Sequence, residues 1–198
     1  CSYNSVLLIQ VSQHVKLIRL IPSEEQLIKK CKKGDRKSQH ELYKKFARKM
    51  LGVSRRYTRS TEEAEEILSN GFIKVFKSIN QYEGKGSFEG WIRKIIVNEA
   101  INYIRYKKNL FVETDQDWYD HGHEELNEQN DAQEILSLID ELPIGYKTVF
   151  NLYAIEGYPH KEIAQLLGIS EGTSKSQLSK ARTLLQQRIS GLNVLHKS

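Results

Sequence analysis

The stretch 160-HKEIAQLLGISEGTSKSQLSKARTLL-185 decides how this chain reads. Two helix-like runs meet at Gly168-Ile169-Ser170. Ile163, Ala164 and Leu167 recur at helical spacing and form the inner face of the first run. Gly168 permits a tight turn that a branched residue would resist. Ile169 can plug the joint. Ser170 can cap the second run, whose inner face is Leu178, Ala181 and Leu185. Small Ala164 lets the two helices approach closely. Together these features predict a helix-turn-helix. The second helix then exposes Thr173, Gln177 and Lys180, with Lys175 and Arg182 on its flanks. Ser, Thr and Gln can bond base edges, whereas Lys and Arg hold phosphates. A plain helical hairpin with a solvated polar face fits the same residues, so this stretch alone leaves both readings open.

The rest of the chain is helical as well. Pro22-Ser23-Glu24-Glu25 is a helix start, with Ser23 as the cap and acids in the first turn. Leu27, Ile28 and Cys31 give it a one-sided apolar stripe, and Gly34-Asp35 ends it. A second helix carries Leu42, Tyr43, Phe46, Met50 and Val53. Ser60-Thr61-Glu62-Glu63 opens a third, with Ala64, Ile67, Leu68, Phe72, Val75, Phe76 and Ile79 along one side. Gln81 to Ser87, with two glycines, breaks the pattern. A fourth helix runs from about Phe88 to Lys107. Strand-like alternation is nearly absent. The expected fold is all-α: two small helical domains joined by an acidic flexible linker.

Charge is placed unevenly along these 198 residues, whose formal net charge is +5. Lys29 to Arg59 holds thirteen Lys or Arg and two acids, while Phe111 to Glu134 holds nine acids and no Lys or Arg. The basic balance suits an anionic partner. The acidic stretch lacks a clear period and reads as a linker. Its charge suits either a solvated tether or a segment drawn to a basic channel. The domain boundaries expected are 22–110, a linker at 111–131, 132–190 and a tail at 191–198. Residues 1–21 carry no motif and read as an N-terminal extension of doubtful role. Cys1 and Cys31 make neither a disulfide framework nor a metal set. No run approaches the roughly 20 apolar residues of a membrane span, so no membrane insertion is expected. No Walker loop or nucleophile motif occurs, and His121-Gly122-His123 is a surface feature of the acidic stretch. Catalytic residues, cofactors and metals are expected to be none.

The fourth helix supplies a second clue. Phe88, Trp91, Tyr103 and Tyr106 interleave with Arg93, Lys94, Arg105, Lys107 and Lys108. Unstacked bases can lie on such rings while the cations follow the backbone. Taken singly, each aromatic fits a core position equally well.

Three segments in order, TEEAEEILSNGFIKVFKSI, GSFEGWIRKIIVNEAINYIRYKKN and LPIGYKTVFNLYAIEGYPHKEIAQLLGISEGTSKSQLSKARTLL, resemble an extracytoplasmic-function sigma factor of bacterial RNA polymerase, in the sigma-70 family. The resemblance covers about Ser23 to Ile189. It implies a cytoplasmic protein that binds core polymerase at the clamp and flap. It also implies recognition of the −10 and −35 promoter elements, melting of the −10 region and an anti-sigma factor as a further candidate partner. Matched by motif, Glu63, Glu66, Asn70, Phe72 and Lys74 belong to the clamp-binding helix. Asn80, Tyr82, Lys85 and Ser87 fall in the loop that captures a flipped base. Phe88, Trp91, Arg93 and Asn98 match the melting and −10 helix. Thr173, Ser174, Lys175, Gln177, Lys180 and Arg182 match the −35 reader. The chain departs from the family pattern at Ser69-Asn70, where Gln followed by an acid is common. It departs again at Ser174 and Gln177, where Val and Arg are common. The alternative is a one-component helix-turn-helix regulator that works without polymerase.

Overall fold

The computed structural model describes residues 22–110 and 131–195. The extension at 1–21, the stretch 111–130 and the last three residues lie outside the described residues. Among the described residues there is no strand.

Helix α1 spans Glu24–Lys32 and starts with a reciprocal cap. Ser23 Oγ accepts from the Gln26 N–H at 3.2 Å, and Gln26 Oε1 accepts from the Ser23 N–H at 3.2 Å. Two amide groups that the helix leaves without a partner are thereby satisfied. Helix α2 covers Arg36–Arg55. Its cap is Asp35, whose carboxylate accepts from the Ser38 N–H at 3.0 Å and the Ser38 hydroxyl at 2.5 Å. These bonds hold the Asp35 carboxyl below its ordinary value. Helix α3 spans Thr61–Ser78. Ser60 Oγ accepts from the Glu63 N–H, and the Glu63 carboxylate accepts from the Arg59 N–H. A single 3-10 turn at Ile79–Gln81 follows, and α4 spans Phe88–Leu110.

Each cap contributes about 1 kcal/mol. Burying one large aliphatic side chain contributes about 1.5–3 kcal/mol, so the core decides the assembly. That core takes Leu27, Ile28 and Cys31 from α1, Leu42, Phe46, Met50 and Val53 from α2, and Ile67, Leu68, Phe72 and Val75 from α3. From α4 it takes Phe88, Ile92, Ile96, Val97 and Ile101. These are the apolar stripes expected from the helical spacing. Burial pushes the Cys31 thiol up to about 11, which leaves it unreactive.

The second group begins with α5 (Asp131–Asp140) and α6 (Ile144–Phe150). The chain then widens into a π-helical stretch, Asn151–Ile155, which the sequence did not suggest. Helix α7 (His160–Leu167) and helix α8 (Glu171–Leu195) complete it. Gly168 joins them with φ 65°, the left-handed conformation for which glycine was expected there. Leu138, Ile139, Leu142, Ala181 and Leu185 form a small core of their own. Val149, Leu152, Ile163 and Leu178 instead continue the core of the first group. The two helical groups thus pack directly on each other.

Candidate nucleic-acid interface

The loop after the 3-10 turn is built around three rings. Tyr82 meets Phe88 edge-on at 4.9 Å and Trp91 at 5.6 Å, and Phe88 stacks on Trp91 at 5.5 Å with 22° between planes. The Tyr82 hydroxyl donates to the Gly86 carbonyl at 2.8 Å. Lys32 Nζ donates to the Tyr82 carbonyl at 2.7 Å, tying the loop to α1. Gly84 and Gly86 both have φ 79°, which other residues rarely adopt. Ser87 Oγ accepts from the Gly90 N–H at 3.1 Å.

Phe88 is buried beneath this arrangement, so it acts as a floor. Tyr82 and Trp91 are half-buried and present the outward ring surface. Asn80, Lys85 and Asn98 are exposed, and Lys85 pairs with Glu83 at 2.6 Å. Arg93 is half-buried and lies 3.8 Å from Glu89 and 3.5 Å from Glu156. The geometry offers two half-buried rings beside a two-glycine loop, which suits an unstacked base.

On α3 the residues divide. Glu66 is exposed and Asn70 half-buried, but Phe72 is buried against Tyr43, 4.8 Å between rings. Glu63 caps its own helix and pairs with Lys107 of α4. Burial alone would raise the Glu63 carboxyl. The hydrogen bonds from Lys107 and the Arg59 N–H outweigh it and hold the group below its ordinary value. Lys74 pairs with Glu99. Ile73, which sequence reasoning passed over, is 51% exposed on this helix. Helical spacing could have shown that Ile73 falls outside the apolar stripe of this helix.

In the helix-turn-helix, Ser170 Oγ accepts from the Thr173 N–H at 2.9 Å and also meets the Thr173 hydroxyl at 2.8 Å. Thr173 is therefore engaged in the turn. Ser174 is 0% exposed and its hydroxyl lies 2.9 Å from His160 Nδ1. It joins α8 to α7 and does not reach the outward face. Gln177 is half-buried, its amide lying alongside Gly145. Lys175 is exposed and pairs with Glu171 at 2.7 Å. Lys180 lies over Tyr146 and Arg182 over Tyr153, with their charges outward. Among these cations the exposed hydroxyl residues are Ser176 and Ser179, with Thr183 just after Arg182. The outward face of α8 is thus turned away from Gln177 toward Ser176 and Ser179.

No described helix is long and apolar enough to cross a membrane. The family model described as Sigma-70 region 2 matches residues 42–109, and that described as Sigma-70, region 4 matches residues 132–185. Together they take in more than half of the chain. The chain is 27% identical over 184 residues to the ECF RNA polymerase sigma-E factor of Haemophilus influenzae, covering 86% of this chain and 97% of that protein. It is 29% identical over 132 residues to the RNA polymerase sigma factor SigV of Bacillus subtilis, covering 66% and 78%. Among solved structures it is similar to the sigma factor RpoE of Bartonella quintana, crystallised with the anti-sigma factor NepR. That match has 18% identity and TM-score 0.52, covers 76% of this chain and 96% of the other, and bears on the fold. Both regions occur in order on one helical chain, and the Haemophilus relative matches along nearly its whole length: the chain belongs to the sigma-70 family, as an extracytoplasmic-function sigma factor.

Proposed function

We propose that this chain binds core RNA polymerase in the cytoplasm, directs it to promoters with particular −10 and −35 elements, melts the −10 region and starts transcription. In this reading residues 22–110 contact the polymerase clamp and the −10 element. Residues 132–190 contact the flap and the −35 duplex, and 111–131 join them. The chain supplies binding energy and no catalytic group of its own. An anti-sigma factor is a further expected partner, since the Bartonella relative was crystallised with one.

The observation that carries this reading is the ring cluster of Tyr82, Phe88 and Trp91 beneath a two-glycine loop. A regulator that binds only duplex DNA has no use for such a surface. A protein that opens DNA does, because unstacking a base costs a few kcal/mol and a ring that receives it offsets that cost. On α3, exposed Ile73 beside Glu66 and Lys74 supports polymerase docking. On α8, Lys175, Lys180 and Arg182 support phosphate contact, with Ser176 and Ser179 between them for base edges.

The test is reconstitution. Purified chain and core polymerase should co-elute and together initiate at discrete mapped starts on genomic fragments. Duplex binding by the chain alone, with no polymerase association and no new starts, would favour the one-component regulator.

A further inference from the structure

The cations of the proposed −35 face are held in different ways. Lys175 pairs with Glu171 at 2.7 Å, and Lys180 lies 5.9 Å from the centre of the Tyr146 ring. Arg182 meets no carboxylate among the described residues. Its guanidinium carbon lies 5.7 Å from the centre of the Tyr153 ring. Tyr153 belongs to the π-helical stretch and, at 37% exposed, adds little to the core.

The Tyr153 ring is itself held. Gly157, with φ 76°, turns the chain so that α7 starts beside the stretch that carries Tyr153. His160, the first residue of α7, stacks on the tyrosine at 4.5 Å between centres, with 21° between planes. His160 Nδ1 is 2.9 Å from the hydroxyl of fully buried Ser174. A line of contacts thus runs from Ser174 through His160 and Tyr153 to Arg182, about two turns further along α8.

The chemistry of this line suits an arginine. A guanidinium is planar, so a ring can take its face while the N–H fork at its edge stays free for two phosphate oxygens. A mobile arginine loses side-chain freedom when a ligand immobilises it, and that loss weakens binding. A guanidinium already standing over a ring has given up part of that freedom beforehand.

We propose that Tyr153 is a positioning residue for Arg182, a role that rests on the proposed −35 contact: the His160–Tyr153 stack sets the guanidinium before DNA arrives, so that it meets a duplex phosphate already ordered. Tyr153 and His160 thereby join the −35 machinery without touching a base. A phosphate carries no base identity, so their effect falls on affinity at every −35 sequence alike.

A double-mutant cycle in the holoenzyme tests this, on a genomic fragment carrying one of its mapped starts and on −35 variants of that fragment. Tyr153→Leu removes the ring, Tyr153→Phe keeps the ring and removes the hydroxyl, and Arg182→Gln removes the cation. Tyr153→Leu should weaken binding about two- to fivefold, evenly across the −35 variants. Tyr153→Phe should bind as wild type does. In the Arg182→Gln background, Tyr153→Leu should have no further effect. The same loss in both backgrounds overturns the proposal, because the ring would then act without Arg182. A Tyr153→Phe variant as weak as Tyr153→Leu overturns it too, since the hydroxyl would then be what matters, and so does an unchanged Tyr153→Leu. If circular dichroism shows Tyr153→Leu to be misfolded, Tyr153→Gln, which also lacks the ring, takes its place in the cycle. If the wild-type chain and polymerase bind no promoter, the sigma reading fails and the positioning role falls with it. If they bind and the cycle shows no coupling, the positioning role alone fails.

Discussion

Gly71→Ala measures how closely α3 and α4 must approach. A Cβ at residue 71 would fall inside van der Waals contact of Ile96 Cδ1, with Ile96 Cγ1 at 3.5 Å and the Ile96 Cα at 3.7 Å. Ordinary carbon contacts lie at about 3.5–4.0 Å. Ile96 is 0% exposed, so its terminal methyl can give way only by repacking within the core. Forcing an extra methyl into such a site costs about 1–3 kcal/mol. Replacing glycine by alanine inside a helix offsets about 1 kcal/mol of that. The single variant should therefore lose about 0–2 kcal/mol, which at the low end proves little. The decisive comparison is the same change on an Ile96→Val background. Ile96→Val alone should cost about 0.5–1.5 kcal/mol. With Cδ1 gone, Gly71→Ala keeps the helix gain without the clash and becomes neutral or stabilising. The expected coupling between the two sites is about 1–3 kcal/mol. Urea unfolding reads it as shifts in midpoint at constant slope. If Gly71→Ala costs the same in both backgrounds, within about 0.5 kcal/mol, the close approach at Ile96 is not what requires glycine.

The Glu63 carboxyl sits below its ordinary value when folded, so its contribution is fully present above about pH 4.3 and is lost as pH falls through the lower folded value. Glu63→Gln should flatten that part of the acid-unfolding curve, and an unchanged curve would remove Glu63 and Lys107 from the account. Ser174→Ala should cost about 1 kcal/mol by taking the partner from His160, yet leave −35 base preference as it is. A changed preference would put residue 174 on DNA. In the holoenzyme, Lys175→Ala should weaken binding evenly across −35 variants and lower the salt slope by about one. Ser179→Ala should alter base preference more than Gln177→Ala does, and the reverse order would mean that α8 presents the face the sequence suggested.

Helix positions and caps were legible because their signals are local. Ser23, Ser60 and Gly168 each act at the joint where their chemistry placed them. The orientation of α8 was less legible, for a specific reason. Residues 174, 178, 181 and 185 form one continuous helical stripe, and all four are buried. The spacing was visible, but serine's polarity hid the first member. The family's frequent Val at this position agrees with a buried site, and here the hydroxyl is satisfied by His160 instead. Phe72 was both a member of an apolar stripe and a candidate contact, and packing against Tyr43 gives it the first role. The meeting of the two helical groups at Glu156 had no local signal. An isolated acid beside Gly157 does not reveal that it meets Arg56 and Arg93, far away in sequence.

In the proposed open complex, the outward rings of the Tyr82–Trp91 cluster receive a base when promoter DNA opens. The most direct measurement is initiation by reconstituted holoenzyme carrying Trp91→Ala, on a duplex promoter and on the same promoter with its −10 region already unpaired. A ring that stacks on an unpaired base is worth about 1–3 kcal/mol, roughly a 5- to 150-fold effect. A loss in that range is expected on the duplex and a much smaller loss on the unpaired template, where opening is no longer required. Equal losses on both templates, or none on the duplex, would contradict it.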